Sequence, residues 1–280
     1  MVVLIVIAAV LVAFAAVCLW GAWENTAVQL HRISAADERL PSAFDGFTFA
    51  HVSDLHNTQF GQDQSQLCAL IAEAKPDAIV VTGDVIDKRR PGTEHALDFF
   101  ERAVRIAPVY YVTGNHEAVS KEYPALRAAI GAMGVTVLDD CALALERGGE
   151  RITLAGVDDP IFTTAEAEKN AQLMRTKLAD VLKEREHFTV LLTHRPELFA
   201  VYREMGADLI FAGHAHGGQF RLPWGQGVIA PNQGLFPKYT QGMYGEEGAK
   251  MVVSRGLGNS SIPIRLNNRP EVVAVTLKKI

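Results

Sequence analysis

A chain of 280 residues, 49% apolar and 21% charged, is long enough for one large domain with a full core or for two small ones. Its net charge of −5 weighs against a nucleic-acid partner, which demands a basic surface. Three cysteines, Cys18, Cys68 and Cys141, lie far apart with no C-x-x-C pair, so neither a disulfide framework nor a zinc ribbon is indicated, and they read as three buried small apolar residues.

The first element is an apolar run from Val2 to Trp23 in which Gly21 is the only non-hydrophobic letter. About 20 such residues cross a bilayer as a helix, and Trp20 and Trp23 sit at its end, where interfacial aromatics belong. A cleaved signal peptide needs a basic start and a small-residue cleavage site, yet no Lys or Arg precedes the run and Leu19-Trp20-Gly21-Ala22-Trp23 is a poor site. A lipoprotein signal would use Cys18, but Ala15-Ala16-Val17 before it is a weak match. With no polar face the run is not a soluble helix, so a single-pass cell-membrane anchor is expected. Arg32 and Arg39 follow the run, so the positive-inside tendency puts the large domain in the cytoplasm.

Residues 24–46 form a juxtamembrane piece with a first strand over Val28 to Ile33 and a turn over Pro41 to Gly46. From Phe47 onward, strands alternate with helices. Strands are predicted at Phe47 to Ser53, Ala78 to Thr82 and Val109 to Thr113, with helices at Asp63 to Ala74, Glu94 to Arg105 and Glu122 to Met133. Further strands fall at Ile152 to Val157, Phe188 to Thr193 and Leu209 to Ala212. The polar helical stretch Ala165 to Lys183 lies between two of them, as a cover for the sheet or a flap. Phe220 to Tyr244, rich in Gly, Pro, Gln and aromatics, reads as a long irregular loop, and such loops in compact domains are often functional. Met251 to Val253 and Val272 to Leu277 close the chain as strands. The pattern predicts a layered α/β fold, with the anchor at 2–23 and one domain over 47–280.

Five short islands follow these strands: Asp54-Leu-His56, Gly83-Asp84, Gly114-Asn115-His116-Glu117, His194, and Gly213-His214-Ala215-His216. Carboxylate and amide oxygens mixed with imidazole nitrogens suit Mn, Fe or Zn, and no thiolate is involved. In open α/β sheets, ligands bind beyond the carboxyl ends of strands, so five strand ends carrying polar ligands are expected to meet in one site. The glycines before Asp84, Asn115 and His214 permit close backbone approach. Five of the nine histidines fall in the islands; His31, His51, His95 and His187 read as surface or packing residues, His51 least clearly because it shares a strand with Asp54.

The order D-x-H, G-D-x-x-D, G-N-H-E, H, G-H-x-H over Phe47 to His216 resembles the calcineurin-like metallophosphoesterase superfamily. Gly217-Gly218-Gln219, Gly234-Leu235, Tyr239, Gly242, Tyr244, Ser254-Arg255-Gly256-Leu257-Gly258 and Pro263-Ile264-Arg265 are similar to a bacterial branch with an N-terminal membrane anchor. That branch includes phosphodiesterases and UDP-2,3-diacylglucosamine hydrolases of lipid A synthesis. The resemblance implies a two-sheet β-sandwich flanked by helices, beside the N-terminal transmembrane helix. It implies that Asp54, His56 and His216 hold one divalent ion, that Asn115, His194 and His214 hold a second, and that Asp84 bridges them. His116 is implied as the catalytic histidine, with Asp87 orienting it.

Two such ions side by side activate a bridging hydroxide for attack on phosphorus, and His116 would stabilise or protonate the leaving oxygen. The expected function is a membrane-anchored phosphohydrolase cleaving a phosphodiester or pyrophosphate bond. Its expected substrate contains phosphate, with lipid-linked compounds among the candidates, and no nucleic acid or protein partner is indicated. Hydrolysis of a UDP-diacylglucosamine pyrophosphate is the finer alternative, and a non-catalytic metal-binding scaffold is the alternative of another class. Arg221, Arg255 and Arg265 are candidates for phosphate contact, although solvated or structural arginines are commoner. Phe220, Leu222, Trp224, Leu235, Phe236 and Tyr239 are candidates for an apolar lip, although core packing is the commoner role.

Overall fold

A computed structural model describes residues 1–186, 188–259 and 262–280; the reading of His187 falls outside them. The apolar run forms helix α1 (Val2–Thr26), which carries almost no polar side chain and is unburied over its most apolar 18 residues. Strand β1 (Gln29–Asp37) follows, then β2 (Thr48–Val52), α2 (Ser65–Ala74), β3 (Ala78–Thr82), α3 (Glu94–Ala103) and β4 (Val109–Val112). Next come α4 (Asn115–Val119), α5 (Tyr123–Ala132), β5 (Thr136–Val137), β6 (Cys141–Arg147), β7 (Glu150–Gly156) and α6 (Asn170–Val181). The rest are β8 (Thr189–Leu192), α7 (Phe199–Glu204), β9 (Leu209–Ala212), the short pair β10 (Ile229–Ala230) and β11 (Gly234–Leu235), β12 (Gly242–Glu246), β13 (Ala249–Val253) and β14 (Glu271–Lys279).

Two six-stranded sheets stack face to face. One runs β1-β14-β2-β3-β4-β5 and the other β12-β13-β9-β8-β7-β6. Strands β2, β3 and β4 are mutually parallel, as are β7, β8, β9 and β13. Parallel strands covered on both faces read as continuous apolar runs, and β3, Ala-Ile-Val-Val-Thr, is buried along its whole length. Phe49, Val80 and Val112 of the first sheet meet Leu154, Leu192 and Phe211 of the second in the central core. The outer faces are closed by helices: Leu67, Ile71, Phe99 and Leu126 on the first sheet, Met174, Leu178, Phe199 and Tyr202 on the second. Burying Met174 and Leu178 makes α6 a cover for its sheet. It is shorter than the predicted Ala165–Lys183, because residues 167–169 form a separate tight turn.

Several expectations need correction. Cys68 is buried, but Cys141 is exposed on the edge strand β6 and Cys18 is partly exposed on α1; all three are free thiols. Helices α4 and α7 and strand β6 had no counterpart in the sequence reading. The 220–244 stretch is mostly irregular, but it contains the β10–β11 pair and the start of β12. The first strand is longer than the expected Val28 to Ile33: β1 pairs with β14 along all nine residues, so residues 29–37 are stitched into the sheet.

His51 is a packing residue. It is fully buried, its Nε2 lies 2.8 Å from Thr82 Oγ1, and its ring meets Phe211 edge-on at 5.1 Å. Burial pushes its pKa down to about 3. The unfolded chain takes up a proton near pH 6.5 and the folded chain does not, so this residue's contribution is intact above pH 6.5 and is lost progressively as pH falls toward 3. Between pH 7 and pH 5 the parent should therefore lose about 2 kcal/mol more unfolding free energy than a His51→Leu variant. Urea titrations with chelator in both samples would measure this, and equal losses would contradict the assignment.

Candidate metal centre

The five islands meet. Asp54 and His56 follow β2, Asp84 follows β3, and Asn115 and His116 open α4 after β4; His194 follows β8, and His214 and His216 follow β9. The first sheet thus supplies four of the seven candidate ligands and the second sheet three, across the carboxyl-end rim of the sandwich. Asp54, His56, Asp84, His214 and His216 all have φ between 46° and 66°. Non-glycine residues avoid this region, and such backbone is typically concentrated at functional sites. The expected close approaches are present: a Cβ on Gly114 would lie 2.3 Å from Asp84 Oδ1, and one on Gly213 2.6 Å from Asp54 Oδ2.

The polar atoms form two adjoining sets. In the first, His56 Nε2 lies 3.3 Å from His216 Nε2, and Asp54 Oδ1 lies 3.5 Å from His216 Nε2 and 4.0 Å from His56 Nε2. In the second, His194 Nε2 lies 3.2 Å from both His214 Nδ1 and Asp84 Oδ2. Asp84 Oδ2 is also 3.8 Å from His56 Nε2, so this carboxylate stands between the sets. A third grouping, of His56, Asp87 and His116, shares His56. Its carboxylate is already engaged by the Arg89 backbone N–H at 2.8 Å and the Arg90 guanidinium at 2.8 Å.

Hydrogen bonds at the outer edge fix which nitrogen of two rings faces inward. His194 Nδ1 donates to Thr82 O at 2.7 Å, leaving Nε2 as the inward lone pair. His214 Nε2 donates to Asn232 Oδ1 at 2.9 Å, leaving Nδ1 inward. Asn232 is in turn held by Arg195 Nη1 at 2.7 Å, and Arg195 is gripped through Nε and Nη2 by Asp159 at 2.6 and 2.9 Å. Glu117 accepts the backbone N–H groups of Asp84, Gly114 and Ile86 at 2.7, 2.7 and 3.1 Å, tying the β3 and β4 loops together. Burial and the neighbouring Asp84 raise its pKa to about 7.

The donor set fits divalent cations. Inward lone pairs and carboxylate oxygens crowd within 3.2–4.0 Å of one another, and the buried Asn115 Oδ1 has no hydrogen-bond partner among the described residues. Burial opposes charge on His194, but Asp84, Asp54 and Asp159 outweigh it and pull its pKa up to about 10. Burial likewise opposes charge on Asp84, yet His194, His116 and His56 hold it well below the usual carboxylate range. Both shifts express one demand for positive charge between these side chains. Asp54, His56 and His216 could hold one ion, and Asp84, His194 and His214, with Asn115, another.

His116 stands beside the second set, its Nε2 4.0 Å from Asp84 Oδ2. Its Nδ1 accepts the Lys88 N–H at 3.1 Å, which places the proton of the neutral ring on Nε2, while Asp87 Oδ1 lies 3.5 Å from the same Nδ1 without accepting from it in this tautomer. A pocket of about 250 Å³ opens over these groups, lined among others by Asp84, Lys88, Arg89, His116, Arg195 and Asn232. Beside it, sharing His216, lies a more apolar hollow bounded by Ile229, Ala230, Pro231 and Ile262.

The three arginines singled out for phosphate contact are structural. Arg265 is fully buried and donates to the carbonyls of Arg255 and Gly258. Arg221 donates to Gly217 O, and Arg255 pairs with Glu271 at 3.2 Å. The cationic residues at the pocket are instead Lys88, Arg89 and Arg195. Only Glu117 had a sequence signal, as the acid three positions after Gly114 at a helix start; Arg195, Asp159 and Asn232 are joined only by the fold. Among the other histidines, His31 is half-exposed beside Glu271 and His95 lies 3.8 Å from Asp98.

The profile of the calcineurin-like phosphoesterase family matches residues 47–218. The chain is 30% identical over 244 residues to the uncharacterised metallophosphoesterase YkuE of Bacillus subtilis, covering 85% of this chain and 82% of that protein. It is 26% identical over 236 residues to the phosphodiesterase YaeI of Escherichia coli, covering 82% of each. The crystal structure of TT1561 from Thermus thermophilus superposes with a TM-score of 0.53 at 15% identity, covering 76% of this chain and 90% of that one, a likeness of fold.

Proposed function

The chain belongs to the calcineurin-like phosphoesterase family and is a metal-dependent phosphoester hydrolase, and we propose that it is anchored in a membrane and cleaves phosphodiester or pyrophosphate bonds. In this reading residues 2–23 are the anchor, 24–46 are the juxtamembrane segment with the first strand, and 47–280 form the catalytic domain, on the cytoplasmic side because Arg32 and Arg39 follow the anchor. The observation that carries the reaction is the convergence of both ligand sets on Asp84, 3.2 Å from His194 Nε2 and 3.8 Å from His56 Nε2. Similarity to a named phosphodiesterase supports the bond type.

Asp54, His56 and His216 would hold one ion, Asn115, His194 and His214 the other, with Asp84 between them. Bound divalent ions of the Mn, Fe or Zn type supply Lewis-acid charge to the phosphoryl group and lower the pKa of water toward about 7. The chain's own residues do the rest. Thr82 O and Asn232 Oδ1 keep the ligating imidazoles in one tautomer. Lys88 and Arg89 line the pocket and favour entry of an anionic ester. His116 presents Nε2–H toward the pocket, positioned to stabilise or protonate the leaving oxygen.

A lipid-linked pyrophosphate such as UDP-2,3-diacylglucosamine is the finer reading, and the apolar hollow adjoining His216 favours it. A panel on metal-loaded protein separates the alternatives: a phosphomonoester, a phosphodiester and the UDP-lipid, with UMP release measured. Diester turnover is expected, and UMP release would select the lipid substrate. Full metal occupancy with no hydrolysis of any of the three would instead support the non-catalytic scaffold.

A further inference from the structure

After α1, three of the four most exposed large apolar side chains among the described residues sit in one loop cluster. Trp224 is 76% exposed, Leu235 67% and Phe236 64%. Trp224 lies in a short hairpin closed by the Leu222 N–H donating to Gln226 O at 2.9 Å. The Gln226 side chain reaches Pro237 O at 3.3 Å, and the Phe236 N–H donates to Val228 O at 2.9 Å, so the three exposed residues share one scaffold. Tyr239, by contrast, is buried, and Phe220 and Leu222 are half-buried. The predicted lip therefore divides into a packed base and an exposed edge.

The base of the hairpin is bound to the segment on which α1 ends. The Arg221 N–H donates to Leu266 O at 2.9 Å and the Asn267 side chain to Arg221 O at 3.1 Å. Leu266 and its neighbour Ile264 pack on α1 so closely at Gly21 that a Cβ there would lie 2.7 Å from Ile264 Cγ2 and 3.5 Å from Leu266 Cδ2. The helix end is pinned by further contacts. Asn25 donates to Pro263 O at 2.7 Å, the Arg265 N–H to Asn25 Oδ1 at 3.0 Å, and the Asn268 N–H to Glu24 Oε2 at 3.1 Å. Gly21 precedes Glu24 by three residues, roughly 4.5 Å of helix rise. The Ile264–Leu266 segment thus runs along the boundary of α1 where its last apolar turn, at Gly21, gives way to Glu24 and Asn25.

We propose that Trp224, Leu235, Phe236 and Ile264 form a docking edge seated in the interfacial layer of a lipid bilayer, resting on the reading that α1 spans that bilayer. Continuity with α1 selects the partner. A water-facing site would hold three large side chains two-thirds exposed, whereas the interfacial layer accepts apolar bodies and favours tryptophan in particular. Seated this way, the hollow beside His216, bounded by Ile229 and Pro231 of the same loop, opens next to the lipid surface.

Tryptophan depth measurements on the full chain in vesicles test this. The three tryptophans, Trp20, Trp23 and Trp224, allow a W20F/W23F variant that reports Trp224 alone and a W23F/W224F variant that reports Trp20 alone, each checked by circular dichroism against the parent. Emission from Trp224 is expected to be quenched by lipids brominated near the top of the acyl chain and largely spared by aqueous iodide. Quenching by iodide without quenching by brominated lipid overturns the proposal. Shielding from both also overturns it, since that means a protein contact such as a second copy of the chain. If Trp20 itself escapes the brominated lipid, the anchor reading fails; if Trp20 is quenched and Trp224 is not, only the docking edge fails.

Discussion

Asp84→Asn is expected to abolish hydrolysis and to lower bound metal at both positions. Asp84 approaches imidazole nitrogens of both ligand sets more closely than Asp54 does, facing His194 at 3.2 Å and His56 at 3.8 Å, where Asp54 is 3.5 Å from His216 and 4.0 Å from His194. An amide of the same shape keeps an oxygen for the His116 backbone N–H, which Asp84 Oδ1 now accepts at 2.8 Å, so the fold should survive. It removes the negative charge that the surrounding imidazoles hold far below the usual carboxylate range. It also places N–H groups where a cation would sit. Losing several kcal/mol of transition-state stabilisation corresponds to a fall in turnover of at least about 10³-fold. Metal content by mass spectrometry, read beside kcat, is the measurement. A variant retaining both ions in full would defeat the bridging assignment.

His116→Ala is expected to behave in the opposite way toward metal. Turnover should fall by about 10²–10⁴-fold, the usual worth of a positioned acid or base, while both ions remain bound. His116 Nε2 is 4.0 Å from Asp84 Oδ2, farther than the nearest His194 or His56 nitrogen, and its Nδ1 is taken by the Lys88 N–H. It faces the pocket from beside the ligand sets. An unchanged rate would remove it from the chemistry, and loss of metal would move it into the ligand set. The contrast between the two variants is the sharper test: Asp84→Asn should lose both metal and rate, His116→Ala rate alone.

Much of this site could be read from letters because each island is local. Aspartate, asparagine and histidine follow short β-branched runs, and those runs became β2, β3, β4, β8 and β9 within a residue or so of their expected ends. The sequence did not indicate how the ends are shared. Three of the five belong to one sheet and two to the other, and only the register of the sandwich brings them together. The left-handed backbone at Asp54, His56, Asp84, His214 and His216 was equally hidden, because Asp and His enter that region more readily than most residues but do not require it. Arg195 illustrates the deeper limit. It directly follows the candidate ligand His194, yet its role depends on Asp159, 36 residues earlier, and Asn232, 37 later. Arg221, Arg255 and Arg265 looked like phosphate contacts because charge is visible in a sequence, whereas the carbonyls and the Glu271 carboxylate that absorb it are not. Helix α4 was missed because Gly-Asn-His-Glu reads as a ligand motif before it reads as a helix start; β6 was missed because Cys-Ala-Leu-Ala-Leu is as compatible with a helix as with an exposed edge strand.

Asn268 has a role larger than its size. Its backbone N–H donates to Glu24 at the end of α1, while its side chain donates to the carbonyls of His216 and Gln219 at 2.8 and 3.0 Å. One residue thus joins the N-terminal helix to the backbone of a candidate metal ligand. A shortened chain starting after Ala27, the obvious choice for obtaining water-soluble protein, would lose Glu24 and Asn25 and leave Asn268 and Arg265 without those partners. Rates and metal affinities measured on such a fragment would describe an enzyme with part of its chassis removed, the part that ties α1 to the His216 backbone.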